Sequence, residues 1–114
     1  MKDYKYSFGS LQWQGQTYRE DVLILPDGTV RLWPREHKHR LKFSYLAEVV
    51  AAAPRILILG TGQMGVMEVS DKVLRKLADA GIDAEPMPTE KALKRLVELR
   101  DKGKKVAAAL HVTC

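Results

Sequence analysis

Ile56–Gly65 read ILILGTGQMG, and this stretch decides the fold. Four consecutive aliphatic residues predict a strand covered on both faces, because a half-exposed strand would alternate apolar with polar. Gly60, Thr61 and Gly62 then turn the chain, with Gly65 following. By letter, Gly60-x-Gly62-x-x-Gly65 after a strand matches the dinucleotide fingerprint, and Glu85 lies where a ribose-binding acid is expected. In the true motif, however, the helix begins within the glycines so that its N–H groups meet the pyrophosphate. Here the better helix start is Ser70, several residues too late, and the chain lacks length for a second nucleotide-binding half. The expectation is a glycine turn that lets the backbone leave a crowded sheet, with no cofactor.

Beyond this turn, the chain alternates helix and strand. Ser70 and Asp71 open a helix whose apolar stripe is Val73, Leu74, Leu77 and Ala78, and Gly81 stops it. Ile82 to Met87 is the next strand. Pro88 and Thr89 open a third helix, with Thr89 as N-cap and with Ala92, Leu93, Leu96 and Leu99 facing the core. Val106 to Leu110, VAAAL, is the last strand. Helical crossovers of this length favour parallel strands with right-handed connections.

Before the central strand the pattern changes. Tyr4, Tyr6 and Phe8 alternate with polar residues, as do Leu11 and Trp13, which predicts two short half-buried strands. Val22 to Leu25 and Thr29 to Trp33 are two more, joined by a Pro26-Asp27-Gly28 turn. Ser44 reads as the N-cap of a helix carrying Leu46, Val49, Val50 and Ala53 on one face, and Pro54 ends it. The 114 residues make one domain. Residues 1–43 are expected as a hairpin-rich antiparallel layer, and residues 44–114 as a helix plus a β-α-β-α-β core.

Composition narrows the class. Hydrophobic residues are 46% of the chain and charged residues 29%, a globular balance rather than a disordered one. A net charge of +5 permits an acidic or nucleic-acid partner without demanding one. Cys114 is the single cysteine, so no disulfide forms within the chain, and a free thiol suits a reducing compartment. The start has no apolar signal region and no run is long enough to span a bilayer, which makes the cytoplasm the expected location.

Three places carry polar chemistry. If the strands are parallel, Thr61 and Gly62, Pro88 and Thr89, and His111 and Thr113 converge where the strands end, which is where open α/β sheets bind ligands. Backbone N–H groups at Gly62 and Thr89 would suit a small anion or a partner's carboxylate, with His111 adding charge. His111 and Cys114 resemble a nucleophile–base pair but lack a third group. Cys114 is moreover expected to fray, with its own carboxylate raising its pKa. Finally, the loop from Arg35 to Lys42 carries His37 and His39 among Arg35, Lys38 and Arg40. It has too few ligands for a metal site. With Trp33 beside it for stacking, it is a candidate for weak nucleic-acid binding, though a basic run is ordinarily a solvated loop.

In order and spacing, the chain resembles a small family of largely uncharacterised archaeal and bacterial proteins. Its eukaryotic members include a mitochondrial complex I (NADH dehydrogenase) assembly factor and an adipogenesis-associated protein. The resemblance rests on Trp33 with His39, Pro54 and the strand into Gly60-Thr61-Gly62, Gly81-Ile82, Met87 with Thr89 and Ala92, Gly103, Val106, and the closing His111-x-Thr113-Cys114. It implies a three-layer β+α/β/α fold with a mixed central sheet. The family has no established catalytic residues to carry over. Where its third helix usually holds an aromatic–Asn pair, this chain has Leu96 and Val97, so a binding role for that Asn is absent. The expected function is thus a non-catalytic cytoplasmic binding or assembly-factor-type domain with a protein partner or small anion. The alternatives are a small enzyme or cofactor-binding protein using a Gly62/His111 cleft, and a weak nucleic-acid binder through loop 35–42.

Overall fold

The computed structural model describes residues 4–114; Met1–Asp3, the first residues of the start expected to lack a signal region, lie outside the described residues. The alternating tyrosines form β1 (Tyr4–Ser7), which pairs antiparallel with β2 (Ser10–Trp13). A third strand, β3 (Gln16–Tyr18), completes this meander, although Gln16-Thr17-Tyr18 has no apolar alternation to announce it. The turn makes it: Trp13 pairs with Gln16, and the two residues between them, Gln14 and Gly15, both have positive φ (48° and 84°). A two-residue loop of that kind carries the twist a tight hairpin needs.

The second hairpin, β4 (Val22–Ile24) and β5 (Val30–Leu32), does not stay in that layer. It joins β6 (Ile56–Thr61), β7 (Asp83–Met87) and β8 (Val106–His111) in a five-stranded sheet of order β5-β4-β8-β6-β7. All three residues of β4 are buried, so the strand must be covered on both faces, and only the main sheet offers that. The expected grouping of residues 1–43 into one layer gives way for this reason. β6 runs parallel to both β7 and β8, while β4 runs antiparallel to β8, so the sheet is mixed.

Leu57, Ile58 and Leu59 are fully buried, with Ile56 half-buried where the strand begins. The alternation of β6 divides the core in two. Ile58, Ala108 and Leu110 face the helix α3 (Thr89–Asp101) and the meander, through Leu93, Leu96, Leu11 and Trp13. Leu57, Leu59, Ala107 and Ala109 face α1 (Ala47–Ala51) and α2 (Asp71–Asp79), through Val49, Val73 and Leu77. The three layers are thus meander plus α3, sheet, and α1 plus α2.

Helix starts differ in detail from the expected caps. Ser70 caps α2, its hydroxyl accepting the Val73 N–H at 3.2 Å. Ser44 caps nothing: it lies inside a 3-10 turn, Phe43–Leu46, that leads into α1. α3 starts one residue early, with Pro88 at the cap, because the Thr89 hydroxyl is engaged at the end of the sheet.

Candidate functional site

Parallel pairing of β6 with β8 sets Thr61 opposite His111 at the carboxyl ends of both strands. The start of α3 brings Thr89 to the same place. The Gly62 N–H donates to Thr89 Oγ1 at 2.9 Å, the Thr89 hydroxyl donates to the His111 carbonyl at 2.6 Å, and the Thr89 N–H donates to the Gly62 carbonyl at 3.1 Å. Thr61, Gly62, Thr89, His111 and Thr113 therefore meet, but as a packed junction. The two N–H groups expected to face an anion are occupied by protein.

Residues 112–114 cover the junction. The Gln63 N–H donates to the Thr113 carbonyl at 2.7 Å and the Val66 N–H to the Cys114 carbonyl at 3.1 Å, so Cys114 is tied down where fraying was expected. On the other side, the Gly9 N–H and the Tyr6 hydroxyl both donate to the Val112 carbonyl, at 2.8 and 2.9 Å. Burial, with the negative charges of Glu90 and Asp21, pushes the Tyr6 phenol up to about 12. Gly62 has φ 105°, and a Cβ there would stand 2.3 Å from the Cys114 carbonyl carbon and 2.9 Å from His111 Cδ2. Only glycine fits beneath this strap.

Behind the junction lies a buried polar cluster that the sequence reading missed. Asp21, just before β4, accepts Arg35 Nη1–H at 2.9 Å and His111 Nδ1–H at 2.7 Å through one carboxylate oxygen, and the Val112 N–H at 2.8 Å through the other. Burial works to raise the Asp21 pKa. Hydrogen bonds from His111 and Val112, and the charge of Arg35, outweigh it and hold the carboxyl below its usual range. Arg35 is likewise buried, which draws its pKa down against the pull of Asp21. Its other amino group donates to the Lys38 carbonyl at 2.8 Å, and its guanidinium lies 3.8 Å from the centre of the Trp33 ring. In sequence, Asp21 follows Arg19 and Glu20 and reads as a solvated charge. The available signal was its position directly before a wholly apolar strand.

The same contacts redefine the basic loop. Trp33 is buried, with its indole N–H donated to the Tyr45 carbonyl, so it offers no face for base stacking. Arg35 is internal. Lys38, His39, Arg40 and Lys42 remain exposed. His39 turns toward the strap: its Nε2 lies 3.5 Å from Cys114 Sγ, and its ring stands edge-on to that of His111, with centroids 5.4 Å apart. The ligand atoms of His39, His111 and Cys114 lie within 4.8 Å of one another. Glu85, the acid of the letter-matched fingerprint, is ion-paired with Arg95 on α3 at 2.9 Å.

Comparison with known proteins agrees with this architecture. The model of a family described as protein of unknown function (DUF498/DUF598) matches residues 4–111. Among solved structures, the conserved hypothetical protein PH1505 from Pyrococcus horikoshii OT3 is 28% identical, with a TM-score of 0.89 over 100% of both chains. The structure named MT938 is 30% identical, with a TM-score of 0.82 over 97% of each chain. A Mth938-like domain from Bordetella pertussis shares the fold at 22% identity and a TM-score of 0.78, over 95% of this chain and 83% of that one.

Proposed function

The chain belongs to the DUF498/DUF598 family, and from that premise we propose a non-catalytic, cytoplasmic binding domain of the assembly-factor type. It engages a protein partner with the face built where β6, β7 and β8 end. One observation carries this reading. The crevice where α/β sheets ordinarily take a substrate is filled by residues 112–114, while the loops that hold this strap turn apolar side chains outward. Met64 is 78% exposed and Val66 42% on the Gly62–Glu68 loop, and Phe8 is 58% exposed on the β1–β2 turn. The adjoining Lys38, Arg40 and Lys42 favour a partner whose apolar contact is rimmed by carboxylates.

The enzyme alternative has the thiol–imidazole contact of Cys114 and His39 in its favour. Against it, the N–H groups that would hold an oxyanion, those of Gly62, Gln63, Val66 and Thr89, all have protein acceptors. Co-purification of the tagged full chain from its native cells is the test. A stoichiometric protein should be retained by the wild type and by Leu32→Glu at the sheet's outer edge, and lost from Met64→Glu/Val66→Glu. Native mass spectrometry showing a stoichiometric organic molecule in place of a protein would overturn the reading, as would a partner indifferent to both loop substitutions.

A further inference from the structure

We propose that His39, His111 and Cys114 form a binding site for a thiophilic transition-metal cation of the zinc class. Three separate segments bring these side chains together: the basic loop, the end of β8 and the strap. Each is anchored by its own backbone. The His39 carbonyl accepts the Glu68 N–H at 2.8 Å, and the Leu41 N–H donates back to Glu68 at 3.0 Å. Cys114 is held by the bond from Val66, and its neighbour Thr113 by the bond from Gln63.

His111 is prepared as a ligand. Its Nδ1–H donates to Asp21, which assigns the tautomer and leaves the Nε2 lone pair as the one available to a ligand. A buried carboxylate behind a histidine is the arrangement that orients metal-bound imidazoles and raises their basicity. Among the described residues, Nε2 has only the Thr113 hydroxyl, 3.4 Å away, although His111 is completely buried. That is a buried acceptor with a weak partner, close to a thiol and a second imidazole.

The spacing fits. Tetrahedral zinc, with bonds of about 2.0 Å to nitrogen and about 2.3 Å to sulfur, holds an N and an S ligand roughly 3.5 Å apart. His39 Nε2 and Cys114 Sγ already stand at 3.5 Å. With all three donors inside 4.8 Å, closure onto an ion asks for side-chain rotation of the exposed His39 and half-buried Cys114, while His111 stays fixed. The two imidazole rings are inclined at 74°, so both can turn a lone pair to one centre without stacking. Two nitrogens and a sulfur select zinc and its thiophilic neighbours over calcium or magnesium, which take oxygen ligands. Binding releases the thiol proton to solvent, and water completes the coordination on the His39 side. The site is independent of the docking reading.

The test uses the full chain, reduced and stripped with a chelator, titrated with cobalt(II) and then zinc(II). One ion per chain is expected, with a thiolate-to-cobalt charge-transfer band that zinc abolishes, and a raised melting temperature with zinc. Cys114→Ser should lose the band and His39→Ala should lose stoichiometric binding. Both substitutions lie outside the core, and circular dichroism checks that each folds. His37→Ala, on the same loop, should bind as the wild type does. Absence of binding, absence of the band, binding that survives Cys114→Ser unchanged, or loss in His37→Ala equal to that in His39→Ala would each overturn the site.

Discussion

Asp21 is the residue on which the buried polar chemistry depends. It answers the charge of Arg35, the Nδ1–H of His111 and the Val112 N–H at once. Asp21→Ala strands a buried guanidinium and should cost about 3–5 kcal/mol, read as a lower urea midpoint. The pH dependence follows from the same contacts. The folded pKa of Asp21 lies below its unfolded value of about 3.9, so its stabilisation is fully present above that pH. It is lost as pH falls from there through the lower folded value. Asp21→Asn should therefore show a flatter acid limb in melting temperature against pH. The meeting of Thr61, Gly62, Thr89 and His111 was legible in the sequence, because parallel strands must all release their chains at one edge. Asp21 and Arg35 were not: each sits in a run of charged residues, and only their pairing with each other, 14 positions apart, and that of Asp21 with His111, 90 positions on, tells a buried charge from a solvated one.

Among the elements, β6 carries the domain. Ile58→Asp would place an unpaired charge between the sheet and α3, and no cooperative folded state should remain in circular dichroism or urea titration. A soluble variant with an unchanged melting temperature would contradict the central placement of this strand. The turn after β6 is equally constrained. Gly62→Ala meets both a positive φ and a contact with backbone, so it should cost roughly 1–3 kcal/mol in urea unfolding. It should also displace residues 112–114, seen as faster amide exchange at Gln63 and Val66. Periodicity exposed most strands and both long helices because those patterns are local. It missed β3, whose cause is a turn of two positive-φ residues. It also misplaced the β4–β5 hairpin, since partner choice between two sheets is a matter of burial on both faces.

Over the whole molecule, a net charge of +5 and an exposed Lys38, Arg40 and Lys42 should give only weak attraction to nucleic acid. Single-stranded oligonucleotide followed by fluorescence anisotropy should bind weakly at low salt and be released as salt rises, through counterion exchange with phosphates. Sequence-selective binding surviving physiological salt would contradict the burial of Trp33 and Arg35. Among the described residues, no helix is long and apolar enough to cross a membrane. The position of β8 sets the timing of biogenesis. This strand leaves the ribosome after the other described strands, yet it stands between β4 and β6 in the sheet. Until it emerges, both neighbours present open hydrogen-bonding edges, and the hairpin and the β6–β7 pair have no strand between them. A nascent chain arrested before residue 106 should therefore stay sensitive to protease, its exposed edges in need of chaperone cover, and the sheet should close in one late step.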